Sequence, residues 1–196
     1  NGIVGSEMCI RDRWRELNIP GEKENLGKGV AYCPHCDGPF FKNKEVAVVG
    51  GGNSGLEAAL DLSGIVKEVS IIEFMPNLKA DKILVDKAIA SKNIKIFTNT
   101  LTREVIASNG EVTGLSCEDR DSKNKFKIPL KGIFVQIGLI PNSNFIKDLV
   151  DVTEHGEIII DENGSTSLEG VFACGDVTTI PVSYTHLRAH ETIDDL

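Results

Sequence analysis

Residues 44–64, KEVAVVGGGNSGLEAALDLSG, constrain the fold of this chain more than any other stretch. Residues 44–49 form a short β-branched run that reads as a buried strand. The run ends in Gly50-x-Gly52-x-x-Gly55, and behind it Leu56, Ala59, Leu60 and Ser63 recur at helical spacing until Gly64 stops the pattern. Residues 68–74 (EVSIIEF) read as a second strand, which completes a strand–glycine loop–helix–strand unit of βαβ size. In such a unit one glycine permits the tight turn, one lets backbone approach a pyrophosphate, and one lets helix and strand pack closely. The helix start adds free N–H groups and partial positive charge. The motif is weak by itself and gains weight from its setting: Glu73 ends the second strand 18 positions after Gly55. A carboxylate there can accept from both ribose hydroxyls and repels a 2′-phosphate. With no arginine pair near that strand end in sequence, the pattern favours NADH over NADPH. The competing readings are a glycine-rich turn in an unrelated α/β domain and an exposed strand-end charge.

The remaining pattern fits an α/β fold. Residues 14–29 are polar and punctuated by Gly and Pro, hence a connector. Residues 81–92 read as a helix capped by Asp81, and residues 94–99 as a strand. Residues 104–108 and 111–115 flank Asn109-Gly110, a hairpin signal because both turn residues tolerate positive φ. Residues 125–130 continue the meander after a polar turn at 121–124. Residues 132–138 (GIFVQIG) are nearly uniformly apolar, as for a strand buried on both faces. Residues 157–160 and 170–173 read as two more short strands. The expectation is a Rossmann-like parallel sheet with an inserted antiparallel meander.

Composition removes several function classes. The 21 basic and 29 acidic residues give a net charge of −8 with no basic run, which argues against a nucleic-acid partner. The longest uncharged apolar stretch, residues 132–140, has nine residues, far below the roughly 20 of a membrane helix. No charged-then-apolar leader is present, which argues against secretion. Five cysteines are too few for a disulfide framework in a chain this long, so a reducing, cytoplasmic compartment is expected. Cys33-Pro34-His35-Cys36, followed by Asp37, places two thiols within reach of each other and of a carboxylate proton shuttle. Three readings compete: a redox disulfide on a nicotinamide-binding domain, half of a zinc site, and a thioredoxin-fold active site. Zinc would need four ligands, and no second CxxC is present. A thioredoxin-fold active site would need a long helix after the pair and no glycine-rich dinucleotide loop 14 residues beyond Cys36. No metal is expected, and Cys117 and Cys174 read as small buried hydrophobes.

The two ends differ from the rest. Residues 1–13 and 182–196 lack periodicity, and the runs SEMCIRDR and VSYTHLRAHET look like translated sequencing-adapter DNA. Ordinary flexible tails are the alternative. Setting both aside leaves a core of 168 residues, 14–181.

The stretches WRELNIPGE, AYCPHCDGPFF, KEVAVVGGGNSGLEAALDLSGIV, EVSIIEF, FVQIGLIPN and EGVFACGDVTTIP resemble the low-molecular-weight thioredoxin-reductase-like flavoproteins over essentially all of residues 14–181. The spelling Cys-Pro-His-Cys and the pair Glu73-Phe74 resemble the NADH-dependent branch that serves peroxide detoxification. Thioredoxin reductases proper usually carry small residues between the cysteines and basic residues where Glu73 stands. The resemblance implies NADH over Gly50, Gly51, Gly52, Asn53, Ser54, Gly55 and Glu73, with Glu57 and Gly138 near the nicotinamide. It implies hydride transfer to FAD, whose reduced form opens a Cys33–Cys36 disulfide. Cys36 would face the flavin, Cys33 would exchange with the partner, and Asp37 would serve as acid/base. Thr166, Gly175 and Asp176 match a second flavin-contact motif. The implied acceptor is a thioredoxin-like module that reduces a peroxiredoxin, within a homodimer.

That family splits its flavin domain around the nicotinamide domain, and this chain has one glycine-rich dinucleotide loop. The expected division is an adapter-like tail (1–13), a connector (14–28), an NADH-binding domain with the CxxC (29–140), a flavin-domain remnant (141–181) and a second tail (182–196). On this reading the chain is an internal fragment that binds NADH, does not hold FAD stably and is inactive as a reductase by itself. A thioredoxin reductase fragment and a non-catalytic NADH-binding or redox-sensing domain are the alternatives.

Overall fold

A computed structural model describes residues 13–175 and 177–180. In chain order the regular elements are β1 (Arg13–Trp14), β2 (Val30–Ala31), α1 (Pro34–Asp37), β3 (Glu45–Val49), α2 (Asn53–Ser63), β4 (Glu68–Ile72), α3 (Lys82–Ala90), β5 (Ile94–Phe97), β6 (Thr100–Ser108), β7 (Glu111–Asp119), β8 (Lys125–Pro129), β9 (Gly132–Val135) and β10 (Leu139–Ile140). They fall into two compact units, Arg15–Gly138 and a second made of the described residues outside that span.

In the larger unit five parallel strands form a sheet in the order β2-β9-β3-β4-β5. Successive strand residues point to opposite faces, so a strand covered on both faces must be apolar throughout. β3 meets that demand. Val46 and Val48 pack with Leu56, Ala59 and Leu62 of α2 and with Ile71 and Phe134. Ala47 and Val49 pack on the other side with Val105, Leu115 and Ile133, under the antiparallel sheet β6-β7-β8. β9, buried at all four positions, lies between β2 and β3 in the sheet. The hairpin turn is as the dipeptide predicts, with Asn109 at φ 54° and Gly110 at φ 79°.

The departures from expectation are local. α2 buries Gly55, Leu56, Ala58, Ala59 and Leu62, while Leu60 and Ser63 are only half-buried. The buried stripe is therefore centred one residue away from the face that the sequence pattern suggests. Asp81 precedes α3 but makes no side-chain capping bond to it. Instead its backbone N–H donates to Asn53 Oδ1 at 2.8 Å, and Asn53 Nδ2 donates to Asp81 Oδ2 at 3.1 Å, tying together the starts of α2 and α3. β2, two residues long, is not legible as a strand in the sequence, because so short a segment has no period of its own.

The second unit has a small core of Val150, Ile158 and Ile160 with partly buried Ile146, Val152, Val171, Ala173 and Val177. β1 pairs antiparallel with β10, Arg13 opposite Ile140, although the sequence pattern groups Arg13 with the tail. The strands expected at 157–160 and 170–173 are isolated bridges, Val152–Ile158, Ile158–Thr178 and Ser165–Phe172. The hydrogen bonding there runs through turns, as where Asp161 Oδ1 accepts from Asn163 N at 2.8 Å and Ser165 N at 2.9 Å. Both expected tails otherwise lie outside the described residues. Among the described residues no helix is long and apolar enough to cross a membrane.

Candidate functional site

The glycine loop joins the end of β3 to the start of α2, and its glycines have separable reasons. Gly50 sits at φ +123°, and a Cβ there would collide with the Gln136 carbonyl oxygen at the end of β9. A Cβ on Gly55 would collide with the Gly50 carbonyl oxygen, so this glycine lets the first turn of α2 lie against the loop. Gly52 has φ −85°, and nothing stands within 4 Å of a Cβ built on it. No packing within the protein requires a glycine at position 52, so the open space above it fits a backbone approached by a ligand. Gly52 caps α2 without a side-chain bond, so the cap supplies no side-chain acceptor to the first-turn N–H groups of Asn53, Ser54 and Gly55. Glu57 is exposed on the next turn, and Gly138, at φ +96°, closes the larger unit.

Glu73 follows β4 directly and is 8% exposed. Its Oε2 accepts from Gly51 N and its Oε1 from Met75 N, each at 2.6 Å. The carboxylate thus holds the glycine loop from below, a role that sequence reasoning missed. Each oxygen keeps a second lone pair for a further donor. Beside it lies a cavity of about 480 Å³ lined by Gly50, Glu73, Phe74, Thr100, Arg103 and Ile137 among others. One wall is the connector segment 17–20, held by Glu22, which is 1% exposed and accepts from Leu17 N (2.9 Å), Asn18 N (2.7 Å) and Tyr32 OH (3.1 Å). Burial, followed by the Glu22 charge, pushes the Tyr32 hydroxyl well above its ordinary pKa.

The sequence shows no arginine pair near this strand end, but the fold brings two there, Arg103 from β6 and Arg120 from the turn after β7. Arg103 lines the cavity, with Nε and Nη2 donating to the two Glu118 oxygens at 3.1 and 3.0 Å; this pairing holds the Glu118 carboxyl below its usual pKa. Arg120 lies over the Phe74 ring, with Cζ 3.7 Å from the centroid, and its Nη1 donates to Phe74 O at 3.0 Å and Asn99 Oδ1 at 3.2 Å. Both guanidinium groups are already engaged. No local signal marks either one, because the pairing with Phe74 spans 46 positions.

Cys33 and Cys36 form a disulfide, with Cα atoms 5.3 Å apart, within the range a bridge requires. Pro34 starts the single turn of α1, and Cys33 Sγ caps it by accepting from Cys36 N at 3.2 Å. Asp37 is half-buried on the same turn and donates its backbone N–H to Cys33 O at 3.0 Å. His35 Nε2 lies 3.7 Å from Asp61 Oδ2 on the last turn of α2. Asp61 is eight residues past Asn53, about 12 Å along the helix axis. The glycine loop and the disulfide therefore stand at opposite ends of α2.

In the second unit the Thr166 hydroxyl donates to Val171 O at 2.9 Å, and Gly175 sits at φ +85°; Asp176 lies outside the described residues. Cys117 is buried in β7 as expected, and burial pushes its thiol up to about 12. Cys174, also expected to be buried, is exposed, because the turn that carries it lies outside the small core. Among the described residues no group of three or more His, Cys, Asp and Glu side chains could hold a metal ion.

A family model described as pyridine nucleotide-disulphide oxidoreductase matches residues 8–191. A curated relative from Pseudomonas putida, named as one of the subunits of alkyl hydroperoxide reductase, is 55% identical over 169 residues, 86% of this chain and 32% of the relative. A Staphylococcus aureus relative of the same name is 54% identical over 165 residues, 84% of this chain and 32% of its own length. The chain thus spans about a third of the length of these relatives. Among solved structures, a T. acidophilum thioredoxin reductase matches with a TM-score of 0.80 at 40% identity, covering 86% of this chain and 55% of that one. A Lactococcus lactis thioredoxin reductase matches with a TM-score of 0.82 at 30% identity, covering 94% and 64%.

Proposed function

This chain belongs to the pyridine nucleotide-disulphide oxidoreductase family, and on that premise we propose that its larger unit binds NADH and carries, in Cys33–Cys36, the disulfide that electrons reach by way of the FAD held by the longer protein of which this chain is a part. The observation that carries this reading is that one compact unit holds both a glycine loop with open space at Gly52 and a CxxC disulfide. NADH supplies a hydride, and FAD turns hydride chemistry into thiol–disulfide chemistry. The separation of loop and disulfide along α2 fits a carrier between them, since a hydride moves only between groups in contact.

In this reading the N–H groups at the start of α2 hold the pyrophosphate, and Gly52 lets it come close. Glu73 accepts from the ribose hydroxyls through its free lone pairs. A 2′-phosphate would set like charges together at a site where the nearby arginine, Arg103, is already paired with Glu118. Glu57 and Gly138 serve the nicotinamide end. Two electrons and two protons turn the Cys33–Cys36 disulfide into two thiols. The thiolate is the form that attacks a partner disulfide, and Cys33 takes that role on the resemblance. Asp37 takes and returns the proton of that exchange. Thr166, Gly175 and Asp176 enter as flavin contacts on the resemblance, as does the homodimer. The acceptor is a thioredoxin-like module that passes electrons to a peroxiredoxin, a choice supported by the name of the curated relatives. Likeness to thioredoxin reductases supports a second reading with a free thioredoxin as acceptor, against which stand His35 and Glu73.

The test is a chimera in which residues 14–180 replace the matching segment of the Pseudomonas putida relative. It is expected to oxidise NADH in preference to NADPH and to reduce a disulfide acceptor. Its Cys36→Ser form should keep NADH-driven ferricyanide reduction and lose disulfide reduction. Disulfide turnover that survives Cys36→Ser would reject the proposed path.

A further inference from the structure

Phe74 is a large aromatic left 48% exposed beside the buried carboxylate of Glu73. It lines the cavity of about 480 Å³, whereas Arg120, stacked on its ring, does not. The guanidinium covers one face of the ring. Two hydrogen bonds fix that guanidinium, and the backbone bonds Arg120 N to Asn99 O (2.9 Å) and Asn99 N to Met75 O (2.8 Å) fix the segments that carry the stack. The ring thus has rigid backing on one face and still stands 48% exposed. A planar ligand bound there would need little reordering of the protein.

We propose that Phe74, backed by Arg120, is the platform on which the adenine of the bound nucleotide stacks. The inference rests on the nucleotide-site reading above and assigns its adenosine end. If Glu73 holds the adenosine ribose, the attached base must lie within one sugar's reach of that carboxylate, and the cavity beside Glu73 is bounded there by Phe74. Every base has a π face, so an aromatic ring recognises adenine without hydrogen-bond readout. The cation behind the ring draws on its π density and holds it in one orientation. Arg120 acts through Phe74 as a positioning residue, while Phe74 makes the contact.

The experiment uses the full chain and two variants, Phe74→Leu and Arg120→Met, which keep apolar bulk and remove the π face and the cation. Calorimetry with NADH and with ADP-ribose reads affinity, and saturation-transfer NMR reads which ligand protons lie against the protein. Phe74→Leu is expected to weaken both ligands about tenfold or more. It should also cut the adenine H2 and H8 signals relative to the nicotinamide protons. Arg120→Met should weaken both severalfold with the same selective loss of the adenine signals. A merely structural role would reduce adenine and nicotinamide signals together, which would overturn the proposal. Unchanged affinity and adenine signals in Phe74→Leu would overturn it as well. Wild-type chain that binds neither NADH nor ADP-ribose would instead reject the underlying nucleotide-site reading, and this proposal with it.

Discussion

The glycine loop allows structural and ligand-facing glycines to be separated by paired alanine substitutions. At Gly52 a new methyl meets nothing within 4 Å, and φ −85° suits alanine. Restricting the unfolded chain stabilises by about 0.4–1 kcal/mol, and replacing glycine with alanine at an N-cap costs about as much. The two nearly cancel, so Gly52→Ala should melt within about 2 °C of wild type. At Gly55 the methyl would land on the Gly50 carbonyl oxygen, which belongs to backbone held by Gly50 N–H donating to Ile72 O at 2.9 Å. No rotamer relieves that overlap. A steric cost of about 3 kcal/mol, less about 1 kcal/mol of helix propensity, leaves about 2 kcal/mol, or a fall of roughly 4–8 °C. Binding should order the variants differently. The Gly52 methyl points into the space assigned to the pyrophosphate and should weaken NADH at least tenfold, about 1.4 kcal/mol. Thermal melts with and without NADH read both effects, since ligand at about 100 times its Kd stabilises the wild type by about 2.7 kcal/mol. Gly52→Ala that binds NADH like wild type would refute the cradle. Gly52→Ala that melts as low as Gly55→Ala would refute the argument from open space.

Two further outcomes follow from buried groups. Glu73→Gln should lower the ratio of NADH to NADPH affinity in calorimetry by about tenfold as the like-charge repulsion disappears, and Glu73→Arg should lower it further; an unchanged ratio would reject the ribose role. The Cys117 thiol, pushed up to about 12 by burial, stays protonated in the folded chain where the unfolded chain ionises. Its contribution to stability is therefore full below the ordinary thiol value near about 8.5 and is lost as pH rises toward about 12. Urea midpoints from about pH 7 to about pH 10.5 should fall more steeply for wild type than for Cys117→Ala, and iodoacetamide at about pH 8 should label exposed Cys174 while sparing Cys117.

Much of this fold was written locally. The run VAVV is apolar at every position because both faces of β3 are covered, and Asn109-Gly110 sets a turn through the φ freedom of two neighbouring residues. The glycine loop and the CxxC were legible for the same reason: their chemistry depends on spacings of a few residues. The strands expected at 157–160 and 170–173 shrank to bridges because three buried side chains give them no sheet to join. Asp81 left the capping role its position suggested once folding brought Asn53 within reach.

The sequence by itself determined the strand–glycine loop–helix–strand unit, the Asn109-Gly110 hairpin, the close spacing of Cys33 and Cys36, and an acidic residue at the end of β4, each encoded within one turn or one strand. Only the tertiary structure decided what surrounds them. It brought Arg103 from β6 and Arg120 from the turn after β7 to the end of β4, turned Glu73 back onto the Gly51 N–H, and set the disulfide at the far end of α2 from the loop. Those relations join residues tens of positions apart, so no local period could record them.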